Sequence, residues 1–283
     1  VLMINEEWKE AYGQYDIPNE IHLLHQLENE LRNEGLSLSQ IAFQPINLFD
    51  PYSITPPDLI PFASTGGDGI HFGFLTDFHS VSNLSEAPIV CVSPTNDPPL
   101  RYMARNIREF LNLVYSVPYA EMLETMWNYD DEKQVIGLVK EFEKYTSSNW
   151  EENRKSILTR YQQVFGTKKL EVLSYFHEVK KDRAESIHMT TLDGLGVLCA
   201  KPSIQSKQHF NFPQNRNCDE SEVVKMKSFL DQSNELEKLA FVRDANYWYI
   251  VTSGYHEAVW ELILELLTSL KLKDEVERVS ERC

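Results

Sequence analysis

The segment Thr55–Asp77 reads TPPDLIPFASTGGDGIHFGFLTD and sets three glycines (Gly66, Gly67 and Gly69) around Asp68, between two apolar runs. Glycine reaches positive φ and lets backbones approach closely. The stretch therefore reads as a tight structural turn feeding a strand at His71–Leu75. Alternation along that strand puts Ile70, Phe72 and Phe74 on one face and His71, Gly73 and Leu75 on the other. Any fold for this chain has to contain that sheet.

Short apolar pieces punctuated by proline and glycine continue from Phe43 to Pro99, with a second strand expected at Ile89–Val92. Before them, Ile21, Leu24, Leu27 and Leu31 recur at helical spacing, so 19–34 reads as a helix ended by Gly35. After Pro98-Pro99 comes an amphipathic helix with Ala104, Ile107, Phe110, Leu111 and Val114 on one face, stopped near Pro118. Residues 119–165 read as almost wholly helical, with Ser148 or Asn149 opening the last segment and Gly166 closing it. The final third is expected to alternate. Strands are predicted at Leu170–Phe176, Ile187–Leu192 and Leu195–Cys199, the last two joined across Asp193-Gly194. A helix is predicted from Asp219 to Leu230, and a second hairpin from Leu239–Arg243 and Tyr247–Thr252. A helix over 256–270 and a partly solvated tail from Lys271 follow. The pattern predicts an α+β class, with a mixed or antiparallel sheet and flanking helices, a helix-rich middle and a second α+β portion. Residues 1–118 form the expected first domain and 119–283 the remainder.

Charge is unevenly spread. The chain carries a formal −16, yet residues 1–130 hold 18 acids and 5 bases, and 131–283 hold 25 acids and 22 bases. No Lys or Arg occurs between Arg32 and Arg101, while Glu34, Asp50, Asp58, Asp68, Asp77, Glu86 and Asp97 fall inside that gap. Such a surface repels nucleic-acid phosphate and attracts basic protein surfaces. No apolar run approaches the roughly 20 residues of a bilayer span, and no secretory signal is evident at the start. Four scattered cysteines (Cys91, Cys199, Cys218 and Cys283) without a CxxC pattern read as reduced thiols, which points to a cytoplasmic protein.

The glycine turn lacks the GxxxxGK[ST] phosphate-loop pattern and carries a carboxylate where an anion would sit. Asp68, His71, Asp77 and His79 are plausible ligand types for a divalent ion, but their spacing matches no ligand pattern, so no metal and no cofactor are expected. Ser64-Thr65 is not a nucleophile elbow. Neither Ser253 with His256 nor His22 with His25 supplies a third group. The aromatic run Tyr247-Trp248-Tyr249 is more economically read as core packing than as a ligand platform. With nucleophile, base and orienter unassembled, the expectation is a binding protein and not an enzyme. Asp68, Asp77, Glu86 and Asp97 are the expected contacts to a basic protein partner.

The run IPFASTGGDGIHFGFLTD, followed by PIVCVSP and ARNIREFLNL, resembles the SUKH superfamily: domains related to a fungal regulator of cell-wall glucan assembly, with bacterial members that are chiefly immunity proteins. The likeness covers about residues 16–118 and rests on Ile60–Asp68, Phe72-Gly73, Pro88–Val90 and Ile107–Leu111. It implies an α+β domain that binds partners and brings no catalytic residues. For bacterial members it implies neutralisation of a cognate toxin, often a nuclease. The alternatives kept open are a small-molecule- or metal-dependent enzyme built around Tyr247–His256 and Asp193-Gly194, and a regulatory or scaffold subunit using 119–165.

Overall fold

The computed structural model describes residues 10–46, 52–144, 147–198, 208–213, 218–252, 254 and 256–281. Helix α1 (Asn19–Asn33) starts after Pro18 and buries Ile21, Leu24, Leu27 and Leu31. It leads into a meander whose strands pair in sequence order, all antiparallel: β1 (Gln44–Pro45), β2 (Leu59–Ser64), β3 (His71–Leu75), β4 (Ile89–Val92) and β5 (Leu100–Ala104). β5 occupies a stretch whose end, Ala104, the sequence pattern assigned to the following helix. Asn106 separates the two, because its side chain accepts the Glu109 amide at 3.0 Å and starts helix α2 (Ile107–Ser116).

Both faces of the sheet are covered, which is why every residue of β3 and β4 is buried. On one face Phe62, Phe72, Phe74, Cys91 and Met103 pack under α2, with the Phe72 and Phe110 rings 4.8 Å apart. On the other, Leu59, Leu75, Val90, Val92 and Leu100 meet Ile54 and Leu195. Gly73 sits opposite Pro61 in this second layer, and a Cβ there would lie 2.7 Å from Leu59 Cγ and 2.9 Å from the Ile60 carbonyl. Sequence alternation placed these faces correctly. That the second face is also sealed follows from the rest of the chain.

Helices α3 (Met122–Met126), α4 (Glu132–Glu143) and α5 (Ser148–Phe165) follow. Ser147, one residue earlier than expected, caps α5 by accepting the Trp150 amide at 3.3 Å, and Gly166 closes it at φ 63°. Three expectations for the last third are corrected. Leu170–Phe176 is not a strand but enters helix α6 (Val172–Ser186), which buries Leu173, Phe176, Val179 and Arg183. The Asp193-Gly194 turn exists, with Gly194 at φ 75°, but its flanks form a single bridge, Met189 to Val197, instead of a hairpin, and Cys199 lies outside the described residues. The expected second hairpin is absent: Leu239–Arg243 lies inside helix α8 (Glu235–Tyr247), and the chain from Trp248 to Thr252 is turn and loop; α7 (Glu220–Gln232) precedes α8 and α9 (Glu257–Ser269) follows it. The tail is partly solvated, as expected, but folded: α10 (Lys273–Ser280) buries Asp274, Glu275 and Val279 and exposes Lys273, Glu277 and Ser280. Among the described residues the C-terminal portion is thus helical, and the class is α+β because of the one antiparallel sheet. The main apolar core runs from Tyr12 to Val179 without a break at residue 118. A second core gathers residues from Met189 to Val279 together with one visitor from the sheet, Phe78.

Candidate functional site

A meander has two ends, and here they differ in kind. The β3–β4 connection forms one end with Asp58, just before β2. Asp77, Phe78 and His79 are consecutive, non-glycine and all left-handed, at φ 47°, 50° and 65°. Each such residue costs roughly 1–2 kcal/mol, and each side chain is engaged by the C-terminal portion. Asp77 accepts a bidentate pair from Arg183 at 2.8 and 2.7 Å. Phe78 enters the second core, under the Arg243 guanidinium at 5.1 Å. His79 Nε2 lies 2.9 Å from Glu275 Oε2. Arg243, fully buried, also reaches Asp58 at 2.7 Å, with Asp77 and Asp193 each at 3.4 Å. Arg183 additionally donates to the Leu195 carbonyl at 2.7 Å.

Burial raises the Asp58 carboxyl to about 6, against the opposing pull of Arg243 and with a further push from Asp77. Asp244, buried beside Asp193, is likewise raised to about 6 by burial. At His79 burial opposes the charge, but Glu275 and Asp274 outweigh it and the pKa rises. This end is a closed, acid-rich junction between sheet and C-terminal helices.

The other end is open. The β2–β3 and β4–β5 turns share it, and they carry Asp68 and Asp97, both exposed. α3 lies between these turns. Glu121, just before it, feels the Asp68 charge, and burial followed by that charge raises its pKa. Glu124 on α3 accepts from Asn96 at 3.0 Å and pairs with the buried Arg101 at 2.6 Å. Among the described residues, Asp68, Asp97 and Glu121 have no salt-bridge partner. The turn is fixed locally: Thr65 Oγ1 donates to the Gly67 carbonyl at 3.1 Å. Gly69, at φ 69°, leaves room for the Tyr52 ring, which a Cβ would approach to 2.6 Å. Tyr52 is 44% exposed and stacks on His71 at 5.9 Å.

The four acids singled out from the sequence therefore divide. Asp68 and Asp97 share the open end. Glu86 is exposed at the opposite end, and Asp77 is buried in its ion pairs, not on a surface. The same division separates Asp68 and His71 from Asp77 and His79 as joint ion ligands, since β3 stands between them. His71 Nδ1 contacts the Gly69 carbonyl at 2.7 Å, and burial lowers its pKa to about 4. Among the described residues no group of three or more His, Cys, Asp or Glu side chains is placed to hold a metal ion.

Other candidates resolve similarly. His25 is buried in α1 and lowered to about 4 by burial. Tyr247 and Tyr249 pack against the second face of the sheet and Trp248 against the C-terminal core. Ser253 lies outside the described residues. Cys91 is a buried free thiol and Cys218 a half-buried one; Cys283 is not described. No helix among the described residues is long and apolar enough to cross a membrane. No protein-family model matches the chain, and no curated protein matches it in sequence.

Proposed function

We propose that this chain is an acidic cytoplasmic binding protein, not an enzyme, and that it captures a basic protein partner at the open end of its sheet. The observation carrying this reading is the contrast between the two ends. Asp58 and Asp77 at the closed end have guanidinium partners inside the molecule, whereas Asp68, Asp97 and Glu121 at the open end have no ion-pair partner among the described residues. Uncompensated like charge costs stability and persists most readily where a partner supplies the opposite sign. The exposed Tyr52 beside Asp68 adds a flat aromatic surface of the kind that takes a partner's Arg or Lys. Likeness to the SUKH superfamily favours an immunity-type role, with a toxin as the partner class and a nuclease with a basic cleft as its best-fitting member. The same negative charge argues against nucleic acid as the partner, and the reading involves no membrane.

The test is affinity capture from source-cell lysate with the native chain and a D68N/D97N/E121Q variant, followed by association kinetics of the captured protein across salt concentrations. A basic protein held by the native chain and lost by the variant supports the reading. Equal capture by both, or a partner whose association is insensitive to salt, overturns it.

A further inference from the structure

Away from both sheet ends, three helices leave a cleft of about 420 Å³. That volume lies at the lower end of small-ligand sites, which run from roughly 300 to 1,000 Å³. Leu23 from α1, Leu111 from α2, and Val164 and Phe165 from the last turn of α5 supply its apolar lining, and Glu20, Arg108, Asn112 and Lys168 its polar lining. The walls are fixed to one another. Tyr161 donates to the Leu111 carbonyl at 3.3 Å, and the Lys168 amide donates to Asn112 Oδ1 at 2.9 Å.

The rim has the opposite sign to the molecule as a whole. Arg108 and Lys168 stand at the mouth against one carboxylate, Glu20, on a chain of net −16. Glu20 contacts Arg108 only through Nε, at 3.0 Å, and the Arg108 side chain is 81% exposed, so the guanidinium's outer edge faces solvent. Lys168 is exposed, and among the described residues it has no salt bridge.

We infer that this cleft binds a small carboxylic acid with a compact apolar body, the body on Leu23, Leu111 and Phe165 and the carboxylate between Arg108 and Lys168. Charge complementarity selects the occupant: a neutral apolar molecule leaves the cations unused, and a cation meets two like charges. The carboxylate gains charge-assisted hydrogen bonds from a guanidinium fork and an ammonium, while the apolar lining contributes through burial of the ligand body. This inference is independent of the partner proposed for the acidic end.

The test uses the full chain, isotope-labelled, titrated with hydrocinnamate and with its neutral amide while backbone resonances are followed. Saturable shifts confined to Leu23, Leu111, Phe165 and Lys168 are expected with the acid, and affinity at least about tenfold weaker with the amide. An R108Q/K168Q variant, which changes only exposed side chains and should keep the native spectrum elsewhere, is expected to lose about tenfold or more. Absence of saturation at millimolar acid, equal binding of acid and amide, or unchanged binding by the variant each overturns the assignment.

Discussion

Arg243, near the end of α8, places its Nη2 2.7 Å from Asp58 Oδ2, a residue 185 positions earlier in the chain. Both side chains are fully buried. The base-free stretch between Arg32 and Arg101 is thus not uniformly an outward field. Part of it is neutralised from inside by arginines that the second half supplies.

Removing one partner of such a buried pair strands the other, at a cost of about 3–5 kcal/mol. Arg243→Met should therefore lower the unfolding free energy by that order, because Asp58 loses its cation and Asp193 its nearest guanidinium. Urea unfolding followed by tryptophan fluorescence measures it. A loss below about 1 kcal/mol would show that the junction is not built as described.

The same cluster sets a pH dependence. The folded-state pKa of Asp58 lies above the unfolded value, at about 6 against 3.8. Its stabilising contribution is therefore fully present below the unfolded pKa and lost as pH rises through about 6. Native protein should gain from this group between pH 6 and pH 4, and Asp58→Asn should lack that gain. Parallel denaturant titrations across the window compare the two slopes. Identical slopes would remove Asp58 from the account.

Phe78 joins strain to burial. It is left-handed at φ 50° and is 7% exposed within the C-terminal core. Phe78→Ala should cost about 3–5 kcal/mol by loss of the buried ring, while the strain of the turn persists. Differential scanning calorimetry should show a lower, broader transition as the C-terminal helices part from the sheet. A single transition at the native temperature would contradict this arrangement.

Neutralising the open end should have the reverse signature. Because Asp68 and Glu121 repel each other, the D68N/D97N/E121Q variant should melt at the native temperature or slightly above it. Asparagine also tolerates the left-handed backbone of Asp68, at φ 51°. Stability kept while binding is lost identifies a functional surface, and a thermal shift assay run beside the capture experiment reads both.

Gly73 tests the sheet's second layer. A methyl group there would meet Leu59 Cγ at 2.7 Å and the Ile60 carbonyl at 2.9 Å. Gly73→Ala should cost roughly 1–3 kcal/mol through overpacking, as read by thermal melts, whereas Gly67→Ala, with open space around its backbone, should cost far less.

Legibility from the sequence followed the range of the forces involved. The glycine turn, β3, β4, α1 and α9 were readable because turn chemistry and apolar periodicity act over a few residues. α6 was misread as a strand because Val172, Tyr175 and Phe176 are dense, β-prone side chains. Only the continuation to Val179 and Arg183 reveals the helical face. α8 was missed although its start is written locally: Asn234 and Glu237 form a capping box, with 3.1 and 2.9 Å bonds. Its interior is buried nearly all round, so no amphipathic stripe remains to be seen. At the site, the exposure of Asp68 and Asp97 is legible from their loop positions and charge. The fate of Asp77 was invisible, because Arg183 lies 106 residues away and no local rule pairs them.

The long reach from Asp58 to Arg243 has a consequence for how the protein is made. On the ribosome the five strands emerge first, while the guanidinium groups that complement Asp58 and Asp77 are still untranslated. The layer formed by Leu59, Leu75 and Val90 waits uncovered for Leu195 to arrive. Completion of the sheet is therefore tied to the last third of synthesis, and a nascent chain halted before Leu195 would present an unfinished, sticky surface.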